Sequence, residues 1–143
     1  MLEVVAVNIS SEKGVIKKPV DEITLIEDYG IDKDAHAGKW HRQVSLLAVE
    51  SIEKMKKAGG ENLDYGVFAE NITTRGITLH TLKIGTKLKI NEVVLEVTQI
   101  GKECHNSCQI KKIVGDCVMP REGIFTRVIK GGKIRPEDRI EIL

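Results

Sequence analysis

An excess of charge of either sign is missing from this 143-residue sequence: Lys and Arg total 22 against 21 for Asp and Glu, a formal net charge of +1. That balance excludes nucleic acid, or an anionic membrane, as a partner recruited by bulk electrostatics. It leaves room for a small phosphate-bearing ligand held by a local arginine or lysine cluster. Long hydrophobic runs are missing as well. No stretch approaches the roughly 20 apolar residues of a membrane helix, and the opening Met1-Leu2-Glu3-Val4 lacks the basic-then-apolar layout of a secretory signal. The expected location is cytoplasmic. Cysteine is scarce and odd in number. Cys104, Cys108 and Cys117 crowd into one segment, unlike the spread, even-numbered framework of a small secreted domain. Their crowding favours thiol chemistry or metal binding over three ordinary small buried residues. Repeats, low-complexity stretches and linkers are also absent. A composition of 41% hydrophobic and 30% charged residues suits one domain over residues 1–143 with one core.

What is present is mostly strand. Leu2 to Ile9 is rich in β-branched residues and precedes the turn residues Ser10 to Gly14. Ile23 and Leu25 alternate with polar neighbours, and Leu82, Ile84, Leu88 and Ile90 do so around Gly85, predicting half-buried strands. Val93 to Ile100 is a longer strand candidate, and Ile134, Ile140 and Ile142 flank a Pro-Glu-Asp turn near the end. One amphipathic helix is predicted from Leu46, Val49, Ile52 and Met55, between Ser45 as N-cap and the Gly59-Gly60 stop. A shorter one is predicted from about Ser107 to Val114. Many short strands with one good helix predict a mainly β, closed or nearly closed barrel, because closure removes exposed strand edges.

Two segments carry residues suited to chemistry. The first runs from Gly30 to Gln43 and holds Asp34, His36, the only tryptophan (Trp40), His41, Arg42 and Gln43, immediately before the predicted helix. Side-chain donors set ahead of a helix N-terminus suit phosphate or another oxyanion. A solvated loop and an Asp34/His36 metal pair are the other readings. The second runs from Gln99 to Cys108 and on to Phe125. There Cys104, near Lys102 and His105, fits a thiolate acting as nucleophile or soft metal ligand. Zinc gathered by Cys104, His105, Cys108 and Cys117 is an alternative, at a spacing without a C-x2-C knuckle. Arg121, between Pro120 and Glu122-Gly123, sits in a rigid-then-permissive frame that can hold a guanidinium against an anion or simply form a surface turn. Asn71 can hydrogen-bond a heterocycle or cap a loop.

Together these segments resemble the MOSC domain family, named for the C-terminal domain of molybdenum cofactor sulfurases, and within it the small stand-alone prokaryotic type. The resemblance rests on Asp34-Ala35-His36-Ala37-Gly38 with His41-Arg42-Gln43-Val44-Ser45-Leu46-Leu47, on Phe68-Ala69-Glu70-Asn71-Ile72, and on Gly101-Lys102-Glu103-Cys104-His105 with Met119 to Phe125. Ordered matches spread along a chain are far more specific than one motif. The resemblance implies a barrel-like MOSC fold that binds molybdenum cofactor (molybdopterin) or handles sulfur. It implies that Cys104 ligates molybdenum or carries a persulfide, and that His36, Arg42, Gln43, Asn71 and Arg121 surround the pterin and its phosphate, with His41 in the same anion-holding loop. In the family pattern, glycine commonly stands where this chain has Lys33 and Glu137, and a side chain is disfavoured where the backbone needs positive φ.

Three functions are expected: sulfur transfer through Cys104 and a non-catalytic molybdopterin carrier or chaperone, both implied by the resemblance, and a Cys/His structural zinc module, from the residues alone. Extracting sulfur from cysteine requires a pyridoxal phosphate fold with a Schiff-base lysine, for which a chain filled by this barrel has no room. The expected sulfur donor is therefore a separate cysteine desulfurase that holds the pyridoxal phosphate. The expected recipients are molybdoenzymes or molybdopterin-biosynthesis proteins.

Overall fold

A computed structural model of the chain describes residues 2–12, 16–57, 65–66, 68–101 and 122–143. The β-branched opening forms β1 (Glu3–Ile9), followed by β2 (Lys18–Val20), β3 (Ile23–Ile26), β4 (Gly30–Ile31) and β5 (Val44–Ala48). Helix α1 (Val49–Lys57) continues directly from β5. Then come β6 (Ile72–Arg75), one turn of 3-10 helix (Leu79–Thr81), β7 (Lys87–Ile90), β8 (Val93–Ile100), β9 (Ile124–Lys130), β10 (Gly132–Ile134) and β11 (Ile140–Ile142). Among the described residues, no helix is long and apolar enough to cross a membrane.

Eight strands make one sheet in the order β11-β7-β8-β9-β5-β6-β1-β2, and β10-β3-β4 make a second. The sheet curls until β1 meets the segment leading into β11. Glu3 bridges Arg139, the Val4 amide donates to the Asp138 carbonyl at 2.8 Å, and the Glu137 amide donates to the Val4 carbonyl at 2.7 Å. This junction satisfies backbone groups that an open edge would expose. The mainly β, barrel-like fold expected from the sequence is the one observed.

Alternation explains most strands. In β7 and β8 every second side chain is buried along most of the length, with Leu88, Ile90, Val93, Leu95 and Val97 turned into the core. Each such residue contributes about 1.5–3 kcal/mol relative to exposure. Strand β5 is different. All five of its residues are buried because α1 packs on it while Leu46 enters the main core. This corrects the predicted helix boundary: Leu46 belongs to a strand, and the helix starts at Val49. Ser45 is not an N-cap. Its backbone amide donates to Asn71 Oδ1 at 3.0 Å and its hydroxyl to the Ala69 carbonyl at 3.1 Å. A run of five residues buried in a central strand overrides the helical spacing. Ile84 also departs from expectation, lying 66% exposed before β7 rather than in a strand. The Gly59-Gly60 stop and the helix expected from Ser107 to Val114 lie outside the described residues.

Candidate functional site

The loop from Asp32 to Gln43 leads into β5, not into a helix, so His41, Arg42 and Gln43 do not stand at a helix N-terminus. They work by other means. At the heart of the loop, Asp34 and Lys17 form an ion pair of 2.8 Å with both side chains fully buried. Asp34 Oδ1 also accepts from the Ser10 amide at 3.1 Å, and Oδ2 accepts from the His36 amide at 3.0 Å. Burial alone would raise the Asp34 pKa, but the Lys17 ammonium and the hydrogen bonds donated by Lys17 and the His36 amide outweigh it and hold the carboxyl well below its usual range. Asp34 is thus a counter-ion and loop anchor. Among the described residues, no group of three or more His, Cys, Asp or Glu is placed to hold a metal ion.

Lys17 Nζ lies 3.1 Å from His36 Nδ1. An ammonium has only hydrogens to offer, so in the neutral ring Nδ1 accepts from Lys17 and the hydrogen sits on Nε2, with Asp34 Oδ2 farther from Nδ1 at 3.7 Å. The Lys17 charge therefore favours the Nε2–H tautomer of the neutral ring. Trp40 supports the ring as well. Its indole is nearly parallel to His36, 6° between planes and 6.2 Å between centroids, while its N–H donates to the His36 carbonyl at 2.7 Å. The same indole meets His41 edge-on with centroids 6.0 Å apart.

His41 and Arg42 converge on Gln99, near the end of β8. Gln99 Oε1 accepts from His41 Nε2 at 2.9 Å and from Arg42 Nε at 3.0 Å, and its amide nitrogen donates to the Gly101 carbonyl at 2.7 Å. The hydroxyl of Thr98 donates to the His41 carbonyl. The Arg42 guanidinium lies over the Phe125 ring, 5.3 Å from its centroid, a cation–π contact that fixes the plane of the fork. Among the described residues its two terminal nitrogens have no hydrogen-bond partner. An oriented guanidinium of this kind suits a planar or tetrahedral oxyanion. An open cavity of about 450 Å³ lies beside His41, with Trp40, Thr98, Lys39 and Arg127 and the carboxylates of Asp28 and Glu96 in its walls.

Gln43 and Asn71 are fully buried and engaged with the protein itself. Gln43 Oε1 accepts from the Val128 amide at 2.9 Å, and its nitrogen donates to Asp28 at 3.2 Å. Asn71 Oδ1 accepts from the amide and hydroxyl of Ser45, and its nitrogen donates to the Asn8 carbonyl at 3.1 Å. These two residues build the walls: Gln43 ties β5 to β9, and Asn71 ties β1, β5 and β6 together. Cys104 and Arg121, together with His105, Cys108 and Cys117, lie outside the described residues. The flanks of their segment are described. The Gly101 amide donates to the Gly123 carbonyl at 2.7 Å, and Glu122 accepts from Ser51 Oγ at 2.7 Å and Lys54 Nζ at 3.0 Å on α1.

Sequence reasoning passes over Lys17, Ser10 and the role of Gln99. Lys17 sits in a Lys-Lys-Pro run that reads as solvent-facing. No local pattern marks it, because the partners of its ammonium are 7, 17 and 19 residues away. Gln99 stands near the end of a long strand, beside the cysteine segment, and that position is the one signal by which it could be found.

Comparison with known proteins places this geometry. A family model described as the MOSC domain matches residues 33–141. The Bacillus subtilis protein YflK is 23% identical over 142 residues, covering 92% of this chain and 64% of that protein, so the chain spans less than two thirds of that relative's length. Among solved structures, the YuaD protein of Bacillus subtilis superposes with a TM-score of 0.81 at 18% identity, covering 99% of this chain and 96% of its own. YiiM of Geobacillus stearothermophilus superposes with a TM-score of 0.77 at 18% identity, covering 100% and 75%. At these identities the superpositions establish the fold alone.

Proposed function

Because the chain belongs to the MOSC domain family, a family associated with molybdenum cofactor, we propose that it binds that cofactor's anionic part at Arg42 and handles sulfur at Cys104. The observation that carries the reading is the Arg42 guanidinium, laid on Phe125 and tied through one nitrogen to Gln99, with its terminal nitrogens unengaged among the described residues. His41 shares Gln99 with it, and His36 is linked to His41 through Trp40. These cationic and N–H donor groups fit a phosphate-bearing pterin. Gln43 and Asn71 hold the strands that present them, and Arg121 adds a second guanidinium from the far end of the cysteine segment.

Cys104 follows closely on Gly101, whose carbonyl accepts from Gln99, so the chain leads from the Arg42 anchor into the thiol segment. When bound, the cofactor supplies a metal centre that takes sulfur as a ligand. The sulfur donor in this reading is a cysteine desulfurase. The Cys104 thiolate attacks the terminal sulfur of the desulfurase's persulfide, a new S–S bond forms on Cys104, and the desulfurase cysteine leaves as thiolate. No oxidant is consumed. The recipient is a molybdoenzyme or a molybdopterin-biosynthesis protein.

Incubation with a cysteine desulfurase and cysteine, followed by mass spectrometry, should show one added sulfur on Cys104. Cys104→Ser should abolish it. An unmodified Cys104 under conditions that load a known carrier overturns sulfur transfer. A non-catalytic carrier is the second reading, favoured by donors that recognise an anion without being nucleophiles. It is tested by the fluorescence of oxidised pterin released from protein made in molybdate-replete cells. Arg42→Ala should lower that pterin about tenfold, the worth of a hydrogen bond to a charged group. Pterin recovery unchanged by Arg42→Ala removes Arg42 from the site.

A further inference from the structure

Glu70 is a buried acid that the reading above does not use. Its side chain is wholly enclosed, and its oxygens accept from three donors: the Gly66 amide at 3.0 Å, the Thr73 hydroxyl at 2.8 Å and the Phe68 amide at 3.2 Å. Among the described residues, none of these partners is a cation. Burial pushes its pKa up, and the hydrogen bonds only partly offset that rise. Enclosing a carboxyl this way is costly, and an apolar residue would fill the space with less desolvation.

What the carboxyl holds is a tight turn. Gly66 has φ +86° and Ala69 has φ +64°, the latter a left-handed conformation that costs a side-chain-bearing residue about 1–2 kcal/mol. The turn is pressed onto Lys17. The Gly66 carbonyl accepts from the Lys17 amide at 2.9 Å, and a Cβ on Gly66 would sit 2.3 Å from the Lys17 carbonyl oxygen. A second connection runs through β1, where Asn8 donates to the Glu70 carbonyl at 3.1 Å and to Thr73 Oγ1 at 3.2 Å. Two residues beyond Asn8 stands Ser10. Lys17 Nζ and the Ser10 amide both grip Asp34 Oδ1. Both segments that hold Asp34 are therefore tied to Glu70.

We propose that Glu70 is a positioning residue for His36: by holding Gly66 against the Lys17 backbone and bracing β1 beside Ser10, it seats the ammonium between Asp34 and His36 Nδ1 and so fixes which ring nitrogen carries the hydrogen. The functional meaning rests on the reading of His36 as a ligand-binding group. The geometry does not.

The test is ring-nitrogen NMR on the full chain with 15N-labelled histidine, the His36 signals being identified by their loss in His36→Gln. The wild type should show the Nε2–H form. Lys17→Met should change the tautomer ratio about tenfold, the worth of a charge-assisted hydrogen bond. Glu70→Gln, which exchanges one acceptor oxygen for a donor, should move the ratio the same way while circular dichroism reports a folded protein. Thr73→Val removes one of the three donors and should give a smaller change of the same sign, which decides the matter if Glu70→Gln does not fold. A folded Glu70→Gln or Thr73→Val protein with lowered Tm but wild-type His36 signals overturns the proposal, because a merely structural carboxyl moves stability and not the tautomer. No cofactor or sulfur enters the measurement, so failure of the cofactor reading leaves its outcome unaffected.

Discussion

Asp34→Asn should destabilise the protein by about 3–5 kcal/mol at pH 7, the cost of leaving a buried charge without its partner. Lys17 and Asp34 are both fully shielded from solvent and only 2.8 Å apart. Asparagine keeps the shape but loses the charge and one acceptor. Three donors then compete for a single oxygen: Lys17 Nζ, the Ser10 amide and the His36 amide. Urea denaturation of the two proteins at pH 7 measures the difference, and a loss below about 1 kcal/mol would show that Lys17 is not the enclosed cation described above. The pH dependence carries a sign. The folded Asp34 pKa lies below the ordinary value of 3.8, so the unfolded chain takes up the proton first as pH falls. The stabilisation is complete above the ordinary carboxylate range and drains away as acid carries the pH down toward the folded value. In Asp34→Asn that part of the acid-side slope should vanish.

Gly66→Ala should cost about 3 kcal/mol or more, through two additive effects. The first is the left-handed backbone, φ +86°, which costs alanine about 1–2 kcal/mol. The second is steric: the new Cβ would fall 2.3 Å from the Lys17 carbonyl oxygen, 2.8 Å from its carbon and 3.2 Å from Asn8 Cβ. Two of those distances are far inside van der Waals contact and involve backbone that is hydrogen-bonded in place. Gly85 supplies the control. It has a similar φ of +96°, but a Cβ added there would meet nothing within 4 Å, so Gly85→Ala should lose only the conformational part, about 1–2 kcal/mol. Thermal or urea unfolding of the pair checks the difference, and equal losses would mean that the Lys17 contact yields at no cost.

The parts of the molecule legible in its sequence are those whose signals are local. Strand β8 matches its apolar run from Val93 to Ile100, and β1 matches its β-branched stretch to within one residue, because alternation and turn residues act over a few neighbours. The start of α1 is not legible in this way, because Leu46, Val49 and Ile52 keep a helical spacing by coincidence across a strand and a helix that share one buried face. Burial of β5 on both sides is a tertiary fact. The same distinction holds at the site. His36, His41 and Arg42 stand out as polar, chemistry-bearing residues in a loop, and the structure joins His41 and Arg42 at Gln99 with His36 linked to His41 through Trp40. Lys17 is invisible from sequence because only the folded chain reveals that its ammonium is enclosed. Lys33 and Glu137 show a third situation. Both adopt positive φ, +70° and +77°, a backbone conformation suited to the glycine that the resemblance leads one to expect there, so each turn forms at a local conformational cost.

The hydrogen bond from Gly101 to Gly123 ties β8 to β9 at the two ends of the stretch that joins them. With Ile100 already paired to Ile124 and Glu122 fastened to α1, the chain on both sides of residues 102–121 is held side by side by contacts among described residues. Doubling the length of a connection costs only about 0.6 kcal/mol. Lengthening the connection at residues 102–121 would therefore cost little in chain entropy alone, because the chain on either side of it is already pinned in place.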